Sequence, residues 1–464
     1  MERALFIQPR HSYARPEGEG HIHLSAPLIT AVAQLHAAGV QVIYRDENFA
    51  GHQEKIDEDV VGMNVVGAPG ILGAIKIIQR VRSGAIVLLG GQFVDSLGDD
   101  FITLFSSLRD DVTILNGNRE AVRREVFQII GEIPSKEHVS SIPVWEQFSD
   151  EQMKAYLSRE ISFYLSQGCQ YACTFCQAAK NRTEQYRDLK MAIEDLTWLA
   201  QKAINLGIKE FGVYLSNLDL FQTPDQLQAF MESVAVWAQE HSFTFKLRGL
   251  ATVKSFLGTD DSVIGSCKKA GLVSVGFGVD GASFEAWRQT RKRHNMAKKG
   301  EGETDKCSAA IQRAAALGIT PELLLVAGHK LGKIAASKRD LEASHAFAKE
   351  MIELYGAVLR FHVVKDLLPG ADEWRDRKKN GKRIQELLEH PERFAALDYK
   401  ALPSEISHPD PELRALVAEF CIAVCELDPL SSAQMIVPNT PFYQEQARKL
   451  GTTVAEQNYG KFDR

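Results

Sequence analysis

The chain has 464 residues, 45% of them hydrophobic and 25% charged, with a formal net charge of −6. That composition is ordinary for globular protein and, at about 150 residues per unit, suggests roughly two to four folded units. The acidic balance gives no global basic field to hold a nucleic acid, and the basic runs RKRHNMAKK (291–299) and RDRKKNGKR (375–383) read as solvated helix ends and loops. The opening MERALFIQP lacks a charged stretch leading into a long apolar core, so no secretory signal is expected. Apolar runs such as AIVLL and LLLVAG fall far short of the roughly 20 residues that span a bilayer, so no membrane partner is expected. Seven cysteines, three of them clustered, point to metal binding in a reducing compartment, the cytoplasm, rather than to disulfides.

In chain order, residues 1–131 alternate strand and helix. ALFIQ (4–8), QVIYRDE (41–47), VVGMNVV (60–66), AIVLLGG (85–91) and VTILNG (112–117) read as short buried strands. Helical periods over 27–39, 71–82 and 118–130 separate or follow them. The pattern predicts a doubly wound, Rossmann-like parallel sheet. Ligands of such sheets sit beyond the carboxyl ends of the strands, here Gln8-Pro9, Val66-Gly67, Gly90-Gly91-Gln92 and Asn116-Gly117-Asn118. Residues 132–158 contain Pro and Ser without a clear period and read as a linker.

A second alternation fills 159–374, with strands expected at 161–166, 210–216, 243–250, 272–280, 319–328 and 357–364. Six β/α units predict a partial (β/α)6 barrel of the TIM type, open on one side, with its chemistry at the C-terminal strand ends. The remaining 375–464 reads as a C-terminal helical segment, so the fold class is α/β throughout.

The first barrel strand runs into GCQYACTFCQ (168–177), where Cys169, Cys173 and Cys176 are spaced C-x3-C-x2-C. A [4Fe–4S] cubane held by three thiolates leaves one iron open to bind a substrate. The alternatives are a zinc site and inert buried thiols. Zinc needs further ligands, and Cys421 and Cys425 lie at i,i+4 in the helix-like LVAEFCIAVCEL, where they read as a core face.

The cysteine spacing, the aromatic Phe175 before the last cysteine and the barrel context resemble the radical S-adenosylmethionine (SAM) superfamily. A preceding α/β sheet, Gly90-Gly91, the Asn116-Gly117-Asn118 turn and LLPGADEW (367–374) resemble its cobalamin-dependent branch through about residue 370. The resemblance implies a [4Fe–4S] cluster on Cys169, Cys173 and Cys176, with SAM on the open iron and Phe175 near its adenine. It places Gly90, Gly91, Gln92, Gly117 and Asn118 toward cobalamin, and Asp280 toward SAM. It also implies an external electron donor of the flavodoxin or ferredoxin type. The chain departs from the branch in two ways: these loops read GGQF and NGNRE, and no Asp-x-His-x-x-Gly occurs among its 13 histidines. Methylthiotransferases, a neighbouring branch, carry cysteines in the N-terminal domain, whereas the first cysteine here is Cys169.

Three polar residues near strand ends are candidates for catalysis: Asp219, Arg248 and His329. The Arg248 fork suits a carboxylate of SAM or substrate, or else an ion pair at the barrel rim. His329 suits a proton acceptor or a hydrogen-bonded loop histidine. GFGVDG (276–281) matches G-x-G-x-x-G but lies within a barrel strand, where no dinucleotide site is expected. The expected activity is methyl transfer, through cobalamin and a deoxyadenosyl radical, to an unactivated carbon or phosphorus of a small molecule. The rivals are another radical SAM reaction on the same scaffold and a non-catalytic iron–sulfur or cobalamin sensor.

Overall fold

The computed structural model describes residues 4–9, 24–50, 54–65, 67, 70–106, 108–116, 139–158, 160–176, 183–391, 403 and 407–427. The chain divides into two compact units. The first comprises Met1–Tyr156, Lys190–Trp198 and Leu367–Asp398, and the second Leu157–Leu189, Leu199–Asp366 and Tyr399–Arg464.

The first unit is built on β1 (Ala4–Gln8), β2 (Val42–Asp46), β3 (Val60–Asn64), β4 (Ile86–Gly90) and β5 (Thr113–Asn116). All five pair in parallel, in the order β2-β1-β3-β4-β5. This is a doubly wound order whose direction reverses between β1 and β3, which opens a crevice at their carboxyl ends. Every residue of β1 and β3 is buried, as expected of central strands covered on both faces. Gly62 leaves room for the Phe6 ring, which would lie 2.4 Å from a Cβ at that position.

The stretch expected to be a linker instead carries the helices Ile142–Trp145 and Asp150–Leu157. Its anchors are aromatic. Trp145 stacks on Trp198 at 5.7 Å, Phe148 meets Tyr44 at 5.2 Å, and Tyr156 Oη donates to Asp46 at 2.8 Å. These anchors fall at uneven intervals among Pro and Ser, so no period betrays them. The expected C-terminal helical segment also divides. The helix Arg377–Glu389 belongs to the first unit, with Arg377 paired to Asp100, and the helix Pro411–Leu427 belongs to the second.

The second unit holds β6 (Ile161–Phe163), β7 (Ser166–Gln167), β8 (Gln185–Tyr186), β9 (Glu210–Leu215), β10 (Thr244–Ala251), β11 (Leu272–Gly278), β12 (Thr320–Ala327) and β13 (Val358–Val363). Six of these pair in parallel in the order β13-β12-β11-β10-β9-β6, an open barrel sheet. Residues 161–166, expected to form one strand, break after Phe163. Ser166 and Gln167 pair antiparallel with Tyr186 and Gln185 across the base of the cysteine loop. Alternation along the strands separates two faces. Phe163 packs on Phe230 and Phe245 on Trp237 of the helix Pro224–Glu240, with Phe211 against Phe245, while Tyr214, Arg248, Glu322 and Arg360 occupy the opposite parity.

Candidate active site

The cysteine loop leaves β7 at Gly168. Its φ of 99° lies in the region that favours glycine, and a Cβ there would stand 2.2 Å from the Thr183 carbonyl oxygen. The loop base is clamped by side chains. Ser166 Oγ donates to Glu184 at 2.5 Å, Asn217 Nδ2 donates to Ser166 Oγ at 2.8 Å, and Asn217 Oδ1 accepts from the Leu165 amide at 3.1 Å. Further along, the Thr174 amide donates to the Thr290 carbonyl at 3.1 Å, and the Cys176 amide to the Cys173 carbonyl at 3.1 Å.

Cys169, Cys173 and Cys176 are half-buried and form no disulfide. Burial raises the pKa of Cys169 and pushes that of Cys173 up to about 12, so a metal must displace their protons to bind. Among the described residues, no three His, Cys, Asp or Glu side chains converge as ligands of one metal ion. A mononuclear zinc needs such convergence at about 2.3 Å per sulfur, whereas a cubane takes each thiolate on a different iron. The donor set of three soft thiolates on one pinned loop therefore fits a cluster better than a zinc ion.

Beside the loop, β11 ends in a turn that the sequence pattern did not foretell. Asp280 has a φ of 51° and Gly281 a φ of 104°. The Asp280 carboxylate pairs with Lys292, whose Nζ also donates to the Gly278 carbonyl. Asn295 Nδ2 donates to the Gly278 and Val279 carbonyls at 3.0 and 2.9 Å, and Trp287 Nε1 to Val279 at 2.7 Å. Lys292 belongs to the run expected to be solvated, yet it is only 6% exposed and Asn295 is fully buried. Three apolar or amide side chains within its neighbourhood, Trp287, Met296 and Asn295, were the available hint that this half of the run turns inward. His294 of the same run stacks on Tyr171 of the cysteine loop at 3.9 Å, and burial lowers its pKa to about 3.

His329, directly after β12, lies 5.4 Å from the Phe175 ring. Burial, with a smaller contribution from the Lys292 charge, lowers its pKa to about 4, so the imidazole is neutral at pH 7. The ring bonds to the Val326 carbonyl, while its Nε2 is buried with no partner among the described residues. A carbonyl only accepts, so Nδ1 carries the proton and Nε2 presents a lone pair.

Asp219 and Arg248 are fully engaged. Asp219 accepts from the Thr252 amide (3.2 Å), Thr252 Oγ1 (3.0 Å) and Ser255 Oγ (2.6 Å), which ties it to the start of the helix Val253–Gly258. Burial raises its pKa against the pull of those bonds. Arg248 makes a bidentate pair with Glu160 and lies 4.4 Å over the Tyr214 ring. Glu322 completes the network, 3.9 Å from Arg248, 2.7 Å from Arg360 and 2.8 Å from Ser274 Oγ. Arg248 thus forms an ion pair on the sheet, and Asp219 bonds the residues that open the next helix.

At the sheet of the first unit, Gly90 ends β4 and Gly91 has a φ of 104°. A Cβ on Gly91 would meet Asn64 Oδ1 at 2.2 Å and the Val65 carbonyl at 2.7 Å, so only glycine permits this approach between the β3 and β4 ends. Gln92 begins the helix Gln92–Leu97. Gln8 is buried at the end of β1, and its Oε1 has no partner among the described residues. Gly117 and Asn118 lie outside the described residues.

No family model and no curated protein sequence matches the chain. Solved structures do. The radical SAM methyltransferase TsrM from Kitasatospora setae, with cobalamin and a [4Fe–4S] cluster bound, superposes with a TM-score of 0.58 at 14% identity, covering 80% of this chain and 78% of that one. The same enzyme with tryptophan substrate and the SAM analogue aza-SAM gives 0.56 at 14% identity, covering 80% and 76%. The cobalamin-dependent SAM radical enzyme OxsB, with aqua-cobalamin bound, gives 0.57 at 14% identity, covering 85% of this chain and 56% of that one. The chain therefore has the fold of cobalamin-dependent radical SAM enzymes, an α/β sheet with a six-stranded partial barrel.

Proposed function

We propose that the protein is a cobalamin-dependent radical SAM methyltransferase that modifies an unactivated carbon or phosphorus of a small molecule. The observation that carries this reading is the pinned C-x3-C-x2-C loop that follows the first strand of an open β/α barrel, in a chain that also has a doubly wound sheet. Cys169, Cys173 and Cys176 would hold the [4Fe–4S] cluster, with SAM beside Phe175. Gly90, Gly91, Gln92, Gly117 and Asn118 would face cobalamin, and the tight Gly91 turn and the Gln8 Oε1, without a partner among the described residues, suit the approach of a large flat ligand with polar edges. When bound, these cofactors supply radical generation and methyl transfer.

The chain's own residues do the rest. Glu184, Asn217 and Thr290 hold the cysteine loop in place. The neutral His329 offers Nε2 as an acceptor for a substrate O–H or N–H, or for a proton released there. Asp219 keeps the start of its helix in register at the end of β10. The external electron donor is expected to be of the flavodoxin or ferredoxin type, and the cytoplasm is the expected compartment. No helix among the described residues is long and apolar enough to cross a membrane.

The test is anaerobic reconstitution with iron and sulfide, then absorption spectra with and without hydroxocobalamin after desalting. Retained corrin bands beside broad cluster absorption are expected, and methylated product from labelled SAM should follow with the correct substrate. A cluster without retained corrin would overturn the cobalamin reading and favour a radical SAM reaction of another kind. An intact cluster that never cleaves SAM under strong reduction would favour a sensor.

A further inference from the structure

The Lys292–Asp280 pair is buried beside the segment that bonds the cysteine loop, and the resemblance to SAM enzymes gives Asp280 a place toward SAM but Lys292 none. Lys292 is 6% exposed and Asp280 likewise 6%. A buried ion pair is a poor source of stability, because desolvating two charges cancels much of their attraction. The geometry around this one is nevertheless heavily determined. Asp280 adopts a left-handed backbone, uncommon for a residue with a Cβ. Gly278 has no side chain, and a Cβ there would stand 2.6 Å from Lys292 Nζ. The segment bearing Lys292 is bonded to the cysteine loop through Thr290 and Thr174 at 3.1 Å.

Two further observations direct the pair toward the thiols. Geometrically, His294, two residues beyond Lys292, stacks on Tyr171 of the cysteine loop at 3.9 Å, and Thr174, directly after Cys173, bonds Thr290, two residues before Lys292. Burial opposes the charge on Lys292, but the Asp280 carboxylate beside it works the other way and the pKa of Lys292 is raised, so the ammonium stays protonated. An ammonium has three donors, and among the described residues Asp280 and the Gly278 carbonyl take two of them.

We infer that Lys292, oriented by Asp280, is a positioning residue that imposes a fixed positive field on the Cys173 side of the cluster and so sets how readily the cluster is reduced. This rests on the cluster reading above. Fixed charge and hydrogen bonds near the sulfurs are among the levers by which a protein tunes such a centre. Removing the cation should make reduction harder, and removing the anion should make it easier. A residue with a merely structural role would not give opposite signs.

The experiment is spectroelectrochemical titration of the reconstituted full-length protein without SAM, with iron and sulfide content measured in parallel. At a fixed applied potential near the wild-type midpoint, Lys292→Met is expected to lower the reduced-to-oxidised ratio tenfold or more, equivalent to about 59 mV for a one-electron couple. Asp280→Asn should raise that ratio, and the double variant Lys292→Met/Asp280→Leu should return toward the wild type. If Lys292→Met fails to hold a cluster, Lys292→Gln and Asp280→Asn still carry the comparison of signs. Shifts of the same sign, or none with cluster content intact, would overturn the inference, as would weaker SAM binding at an unmoved midpoint. Failure of the wild-type protein to take up a cluster at all would instead strike the functional reading.

Discussion

Two sets of charges in the barrel unit look alike in sequence and behave differently in the fold. One set, Arg248, Glu322 and Arg360 on the strands with Glu160 just before β6, closes upon itself through bidentate and single ion pairs. The other set lies beyond the strands, around the cysteine loop: an imidazole nitrogen with no partner among the described residues, the three cysteine thiols, and the Lys292 ammonium. A closed network holds strands together, because each member satisfies the next. An open one has free energy to spend on a ligand. The difference lies in position along the strand rather than in residue type.

The sharpest way to break this comparison is to open the closed network. Glu322 is 5% exposed at its side chain and serves Arg248, Arg360 and Ser274 together. Glu322→Ala leaves two arginines without their shared carboxylate and should cost about 3–5 kcal/mol, read as a lower denaturant midpoint. Reconstituted iron content in the folded fraction should be unchanged. Loss of cluster with unaltered stability would mean that the strand charges belong to the site after all.

His408 offers a gentler probe. It is buried, its Nε2 lies 3.1 Å from the Gly328 carbonyl and its Nδ1 3.0 Å from Ser407 Oγ. Burial, followed by the Lys365 charge, lowers its pKa to about 4. The unfolded chain therefore binds a proton first, near pH 6.5, and the native state only near pH 4. Its contribution is fully present above pH 6.5 and is lost as pH falls through that window, for about 2–3 kcal/mol at most. His408→Gln should flatten the fall in denaturant midpoint between pH 6.5 and 4, and an unchanged pH slope would count against a buried neutral His408. At the other unit, Gly91→Ala should weaken retention of hydroxocobalamin about tenfold, worth about 1.4 kcal/mol, by forcing the β3 and β4 ends apart. Equal retention by wild type and variant would remove Gly91 from the ligand approach.

Much of this was legible before any coordinates. Both sheets follow from apolar, β-branched runs separated by helical periods, and C-x3-C-x2-C is local enough to survive folding unaltered. What could not be read depended on contacts distant in sequence. Arg248 looks like a free fork until Glu160 appears opposite it, 88 positions away. Lys292 looks solvated because its neighbours in the run are basic, and only the Asp280 turn draws it inward. The supposed linker is held by Trp145, Phe148 and Tyr156, whose partners Trp198, Tyr44 and Asp46 lie in other elements.

Asp219 separates position from chemistry most finely, with the smallest effect. Its carboxylate receives three hydrogen bonds, and burial still holds its pKa above the ordinary value. With a folded pKa above the unfolded one, the native state binds the proton more readily, so Asp219 lends more stability at acid pH than at neutral pH. Asp219→Asn keeps one carbonyl acceptor for the Thr252 amide and Ser255, and turns an NH2 group toward Thr252 Oγ1, which can accept in turn. The cost should be about 1 kcal/mol at pH 7, where weaker neutral bonds are partly offset by relief from a buried charge. Measured by denaturant melts at pH 5 and pH 7, the variant should lose the portion of the pH dependence that Asp219 supplies. If Asp219 only holds the end of β10 to its helix, Asn should keep both cluster content and turnover near wild type. A fall in turnover beyond tenfold with the fold intact would mean that the charge itself is used, and Asp219 would join the set around the cysteine loop.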